Sequence, residues 1–307
     1  MYGGVETGGT KFVCVIGEDP QSIISSARIE TAGPAETIAG ALDFFREASR
    51  GGVRLDAIGI GSFGPIEMRV GNPRYGLITT TPKLGWSETD IVRPFEETFG
   101  VPIGFDTDVN AAALAEGRWG AGRGFGSFIY LTLGTGIAGG AIVGGQLVHG
   151  LGHPEMGHIA VPRRPGDAFA GACPFHGDCL EGMAGGSALA ARFGRRAEAL
   201  TGPDRESAIE LVAFYVAAGV RTLVYVAAPE RVVIGGGLGS MPGLLDAARA
   251  ELGTQFAGYP GLPEHAGAVF LVPAALGGMA GPAGTLILAA DAAERDTASP
   301  LQGSNPS

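Results

Sequence analysis

A chain of 307 residues carrying a formal net charge of -10 and a pI near 5.0 exceeds one compact core, so two domains are expected. That acidity argues against nucleic acid or an anionic membrane as partner, because phosphate is held by clustered Lys and Arg that this chain lacks. Three cysteines, one of them (Cys14) alone in an apolar stretch, fit a reducing cytoplasm better than a disulfide framework, and the opening MYGGVETGG has no basic stretch leading into an apolar run, so no secretory signal is expected.

Residues 5–16 place a Gly-Gly-Thr-Lys turn between two apolar strands, a unit whose backbone N–H groups can receive an anion where no Cβ intervenes. The same pattern is a common hairpin. A strand over about 22–31 and an amphipathic helix over 34–49 follow, the helix with Ile38, Ala41, Leu42 and Phe45 on one face. The stretch 56–63 reads as a buried strand running into Gly64 and Pro65, and strands alternating with helices favour an α/β architecture. In the loop 79–86, Lys83 and Trp86 are candidates for the lip of a cleft; Ser87 and Asp90 predict a capped helix that ends at Gly100.

A short strand over 101–105 delivers Asp106, Thr107 and Asp108 to the start of an alanine-rich helix, a place from which carboxylates project into clefts. An N-cap role for either aspartate is the structural alternative. Residues 127–148 form a strand, a turn at Gly134, Thr135 and Gly136, a second strand, and a hairpin at Gly144 and Gly145. This repeats the layout of the N-terminus and suggests two related halves, each offering backbone donors to a polyphosphate. The uncharged runs 124–148 and 266–290 are long enough to span a membrane, but glycine and proline break both, and they read as buried strand and loop material.

Residues 153–181 concentrate the chemistry. His158, Cys173, His176 and Cys179 make a ligand set for tetrahedral zinc, with C-x-x-H-x-x-C placing three donors in one tight loop, and Glu155 and Glu181 flank it. Core cysteines with surface histidines are the alternative. Residues 162–172 hold two prolines, two arginines and two glycines, which predicts a surface loop with little packing of its own. Helices are expected over 181–193 and 207–226, then a strand over 231–234, a third glycine turn at Gly235, Gly236 and Gly237, a helix over 242–256, a strand over 270–272 and a last helix over 281–291. The tail 292–307 has no apolar pattern and is expected to be disordered.

Glu6-Thr7-Gly8-Gly9-Thr10-Lys11, Thr107-Asp108-Val109-Asn110, Leu133-Gly134-Thr135-Gly136, Glu155-Met156-Gly157-His158, the loop from Cys173 to Glu181 and Gly235-Gly236-Gly237 together resemble the ROK family of sugar kinases. The resemblance runs in order over nearly the whole chain and looks most like the fructokinase branch. It implies an α/β, two-domain actin-like ATPase (ribonuclease H-like) fold with a zinc-braced loop, closing over ATP and a hexose. The small N-terminal domain would take 1–118 and the large one 119–291, with the last helix, about 281–291, able to pack back on the small domain.

By the same resemblance Asp108 is the general base that takes the proton of the attacking sugar hydroxyl. Glu155, His158, Glu181, Thr107 and Gly64 would bind the sugar, with one ring nitrogen of His158 on structural zinc. Gly8, Gly9, Thr10, Lys11, Gly134, Thr135 and Gly136 would hold the ATP phosphates, Gly235, Gly236 and Gly237 would approach the adenosine, and Mg²⁺ would reach the phosphates through water on Glu6 or Asp108. No Walker-A sequence is present. Three departures, Glu6 where many members have Asp, Thr107 where glucose-specific members usually have Asn, and His176 among two cysteines rather than three, are shared with fructokinase-like members. The implied activity is ATP-dependent phosphorylation of D-fructose at its 6-hydroxyl to fructose 6-phosphate by a cytoplasmic homodimer. The alternatives are a broader hexokinase acting on mannose or glucose and a non-catalytic sugar-sensing regulator. The regulator is expected to carry an N-terminal DNA-binding extension, and five residues precede Glu6.

Overall fold

The structure is a computed structural model that describes residues 1–260 and 262–298. It divides into two compact units, 1–112 with the last helix, and 113–280. In the first, strands β1 (Tyr2–Thr7), β2 (Lys11–Gly17) and β3 (Ser25–Glu30) lead to helix α1 (Pro34–Arg50) and strand β4 (Ala57–Ser62). Short strands β5 (Leu77–Ile78) and β6 (Thr89–Asp90) precede α2 (Arg93–Phe99), β7 (Ile103–Thr107) and α3 (Asp108–Trp119). The second unit contains β8 (Phe128–Leu133), β9 (Ile137–Val143), β10 (Gln146–Leu147), α4 (Leu180–Ala184), α5 (Gly186–Phe193) and α6 (Gly202–Ala227), then β11 (Arg231–Gly235), α7 (Leu244–Phe256) and β12 (Leu271–Pro273). Helix α8 (Ala280–Ala298) is the last described element.

The two five-stranded sheets share one plan. The orders are β3-β2-β1-β4-β7 and β10-β9-β8-β11-β12, each an antiparallel meander continued by two parallel strands. This is the repetition legible in the two G-T turns. In the first sheet successive residues face opposite sides: Gly3 lies under Phe45 of α1, and Gly4 under Thr285 of α8. A side chain on Gly59 or Gly104 would overlap the carbonyls of Thr285 and Leu288, so these glycines let α8 lie directly on β4 and β7. Helix α1 starts at Pro34, where the missing N–H is harmless, and buries the expected face of Ile38, Ala41, Leu42 and Phe45.

In the second unit, Ile129, Leu131, Val232 and Ile234 of the sheet share a core with Tyr215, Val216 and Val220 of α6 and Leu244 and Leu252 of α7. Helix α6 is long and apolar enough to cross a membrane, but 56% of its most apolar window is buried within the fold. Cys14 is buried in β2, where burial pushes its thiol up to about 12 and keeps it inert.

Several expectations are corrected. Trp86 is not at a cleft lip: it is fully buried, packs on Phe12 and Phe63, and donates its indole N–H to the Ala32 carbonyl at 3.0 Å. The helix expected from Ser87 begins at Arg93 instead, because Thr89 and Asp90 pair with β5 and the Asp90 carboxylate accepts the N–H groups of Val92 and Arg93. The helix expected over 181–193 breaks at Gly185. Residues 292–298, placed in the tail, extend α8; the rest of that tail lies outside the described residues. The division between units falls after residue 112 rather than after residue 118, both within α3.

Candidate functional site

Strands β1, β4 and β7 are parallel neighbours, so their carboxyl ends lie side by side, with Thr7 opposite Ser62 and Ser62 opposite Thr107. Ligands of open α/β sheets collect at such ends. The turn after β1 closes through Gly8 N–H to the Lys11 carbonyl at 2.9 Å, and a Cβ on Gly8 would come within 2.7 Å of that oxygen. Gly9, Thr10 and Lys11 are exposed, with open space over Gly9. Lys83 donates its ammonium to the Gly9 carbonyl and so stands over the turn. Gly64 follows β4 within the same row of strand ends.

At the end of β7 the capping question resolves in favour of a third residue. Thr107 Oγ1 accepts the N–H of Asn110 at 3.1 Å and caps α3. Asp106 is buried and accepts from Thr107 N–H and Asn110 Nδ2, both at 2.7 Å. The Asp108 carboxylate accepts the Val109 N–H at 2.8 Å. Burial, and then the charge of Glu6, push its carboxyl up to about 7. Burial likewise pushes Glu6 up to about 7, against the opposing charges of Lys11 and Arg28. The Glu6 carboxylate lies against Gly281 at the start of α8, where any side chain would overlap it. Two carboxyls titrating near neutrality, at the ends of β1 and β7 on either side of β4, are suited to accepting a proton and to meeting a hydrated cation.

The second unit carries the other two glycine turns at the ends of the parallel neighbours β8 and β11. In the turn at Gly134, Thr135 and Gly136, Gly134 N–H bonds the Gly136 carbonyl at 2.9 Å. The turn at Gly235, Gly236 and Gly237 backs onto the first: Leu238 N–H bonds the Leu133 carbonyl at 2.9 Å, and Gly236, at φ +83°, would overlap that carbonyl if it bore a side chain. Gly237 has open space over its Cα.

His158 ends a 3₁₀ turn, Met156–His158, and the other three donors come from a tight turn in which Cys173 and Gly177 exchange backbone bonds of 3.2 and 3.0 Å. Cys179 precedes α4, where the Leu180 N–H reaches the Ile159 carbonyl at 3.0 Å and draws the two segments together. His158 Nδ1 lies 3.3 Å from His176 Nδ1, 3.6 Å from Cys173 Sγ and 3.5 Å from Cys179 Sγ, with Cys173 Sγ 3.7 Å from His176 Nδ1. A tetrahedral ion at ordinary zinc bond lengths sets N···N edges of about 3.3 Å and N···S edges of about 3.6 Å. The four donors thus form a cage of the right size and charge for such an ion, all within 4.8 Å of one another.

Glu155 is exposed and lies 3.5 Å from Nδ1 of His153, whose imidazole is buried. His153 was not singled out from the sequence, since a lone histidine before proline carries no signal. Glu181, on the first turn of α4, turns back to the glycine turn and accepts the Ile137 N–H at 2.9 Å. The loop 162–172 is better anchored than its composition predicts. Arg192 grips both oxygens of Asp167 at 2.9 and 2.8 Å and stacks 4.0 Å over the ring of Phe169, and Tyr215 donates to Asp167 at 2.6 Å. These partners lie 25 and 48 residues apart in sequence from Asp167, beyond the reach of local pattern.

The model of the ROK family matches residues 2–292 of this chain. The fructokinase of Zymomonas mobilis subsp. mobilis is 42% identical over 253 residues, 82% of this chain and 84% of that protein. Among solved structures, the ROK hexokinase of Thermus thermophilus aligns with a TM-score of 0.77 at 31% identity over 96% of this chain and 99% of its own. A ROK family glucokinase from Streptomyces griseus, in complex with glucose and AMPPNP, aligns with a TM-score of 0.72 at 27% identity over 94% of this chain and 99% of its own.

Proposed function

The chain belongs to the ROK family, and from that premise we propose that it is an ATP-dependent fructokinase, which transfers the γ-phosphoryl group of Mg-ATP to the 6-hydroxyl of D-fructose and releases fructose 6-phosphate and ADP. Its fold is the actin-like ATPase (ribonuclease H-like) α/β fold of its ROK relatives. The observation that carries the choice of sugar is the 42% identity with a fructokinase over 82% of the chain, against 32% with a glucokinase over 66% of it. Thr107 in place of Asn and His176 among two cysteines agree with it.

In this reading Asp108 accepts the proton of the attacking hydroxyl as the O–P bond forms. A carboxyl pushed up to about 7 is well matched to that task at neutral pH, because it is ionised in a useful fraction yet basic enough to take the proton. Phosphoryl transfer otherwise depends on alignment and charge neutralisation. The turns at Gly8, Gly9, Thr10 and Lys11 and at Gly134, Thr135 and Gly136 supply backbone donors to the phosphates, and Gly235, Gly236 and Gly237 are assigned to the adenosine, with open space over Gly237. Mg²⁺ accompanying ATP offsets phosphate charge, with Glu6 and Asp108 as the carboxylates able to hold its water. Glu155, His158, Glu181, Thr107 and Gly64 are assigned to the sugar.

The cage of His158, Cys173, His176 and Cys179 is assigned to structural zinc, whose four protein ligands leave no open position. With Nδ1 of His158 turned into the cage, Nε2 remains to meet a sugar hydroxyl. A cytoplasmic homodimer completes the reading, and light scattering on the purified chain tests the dimer. The decisive experiment is ADP release over fructose, mannose and glucose, with zinc content measured on the same preparation. Fructose is expected to give the highest kcat/KM; glucose turned over faster than fructose would overturn the assignment.

A further inference from the structure

The Gly134-Thr135-Gly136 turn is held by three successive peptide planes. The N–H groups of Gly186 and Ser187, at the start of α5, donate to the carbonyls of Gly134 and Thr135 at 2.8 and 2.9 Å. A trans peptide is planar, with its N–H opposite its C=O. Two carbonyls fixed on α5 therefore turn the N–H groups of Thr135 and Gly136 away from that helix. The third plane is fixed from the other side: the N–H of Ile137 donates to Glu181 Oε2 at 2.9 Å. The Glu181 carboxylate lies so close over Gly136 that a Cβ there would overlap it. Helices α4 and α5 thus clamp the turn, α5 through its backbone and α4 through the side chain of Glu181.

We infer that Glu181 is a positioning residue for the phosphate turn: by holding the Ile137 N–H it keeps the Thr135 and Gly136 donors aimed at the nucleotide, in addition to its assignment to the sugar. The inference rests on the reading of Gly134, Thr135 and Gly136 as the phosphate turn. It gives the chain one residue on which affinity for both substrates depends. A carboxylate acting only through its charge would have the opposite effect, since removing a negative group near phosphates strengthens their binding.

The test is titration of the full-length, zinc-loaded protein with Mg-AMP-PNP in the absence of sugar, and separately with fructose. Glu181→Ala removes the acceptor, Glu181→Gln removes the charge but keeps a carbonyl oxygen for Ile137, and Glu155→Ala serves as a sugar-contact control. Loss of a hydrogen bond to a charged group predicts nucleotide binding weakened about tenfold in Glu181→Ala. Glu181→Gln should stay near the wild-type value and Glu155→Ala should be unchanged. Fructose affinity should fall in both alanine variants. Since Glu181 is two residues from Cys179, zinc content and melting are read on each sample. Gly136→Ala serves as a second route should Glu181→Ala fail to fold: its methyl displaces the carboxylate in a chain that retains Glu181, and should weaken nucleotide binding similarly. Wild-type or tighter nucleotide affinity in a folded Glu181→Ala or in Gly136→Ala overturns the inference. A wild-type protein that binds no Mg-AMP-PNP removes the phosphate reading and this inference with it. Unchanged fructose affinity in both alanine variants removes only the sugar contacts.

Discussion

The half-buried carboxyl of Asp108 should make the protein less stable as it ionises, and Asp108→Asn should relieve that strain. Its carboxyl is pushed from an ordinary 3.8 up to about 7, by burial first and the charge of Glu6 second. A group whose pKa is raised in the folded state contributes stability below its unfolded pKa and loses that contribution as pH climbs toward the folded value. At about 1.36 kcal/mol per pH unit, the loss is on the order of 1.5 kcal/mol by about pH 5 and on the order of 4 kcal/mol by about pH 8. Glu6 remains in both proteins, so the part of its own titration due to burial cancels, while its coupling to Asp108 belongs to the difference measured. Asparagine keeps an oxygen for the Val109 N–H and introduces no charge. Urea unfolding of wild type and Asp108→Asn across that range, without added magnesium or nucleotide, should therefore show the variant gaining about 2.5 kcal/mol on wild type between the two pH values. Parallel curves, or a variant that loses ground as pH rises, would refute the burial argument for Asp108 and weaken its claim to be a base tuned to neutrality.

Further outcomes follow from the same structure. Asp108→Asn should lower kcat by roughly 10²–10⁴ with little change in KM for fructose; turnover within tenfold of wild type would remove Asp108 from its role. The wild-type kcat/KM should fall on the acid side of an apparent pKa near 7, as the base of the free enzyme takes up its proton; a flat profile down to about pH 5 would contradict it. Chelation or Cys179→Ala should speed hydrogen exchange in residues 171–181 and raise KM for fructose more than for ATP, while 162–169 stay protected by the Asp167 and Arg192 pair. Equal exchange across both segments would mean that the metal holds the whole loop. Arg192→Ala removes the counter-ion of a largely buried Asp167 and should cost about 3 kcal/mol in urea unfolding; a loss under about 1 kcal/mol would show that the bonds from Tyr215 and Phe169 suffice to hold it. Gly104→Ala forces a methyl into the Leu288 carbonyl and should cost about 1–3 kcal/mol by the same assay.

Much of this molecule was legible in the chain itself because it depends on residues close in sequence. Apolar periodicity placed α1 and its buried face, glycine turns marked the strand ends, and C-x-x-H-x-x-C brought three metal donors together within seven residues. The repeated G-T turn announced two halves of one plan, because a turn and its flanking strands are a local motif. Tertiary structure alone decided which polar groups were already engaged. Trp86 became a core residue because Phe12, Phe63 and the Ala32 carbonyl converge on it. The pairing of Asp167 with Arg192 and Tyr215, and the reach of Glu181 to Ile137, join segments 25 to 48 residues apart. Burial and charge are sums over neighbours from the whole fold, so the shift of Asp108 toward neutrality appears only once β1 and β7 lie in one sheet.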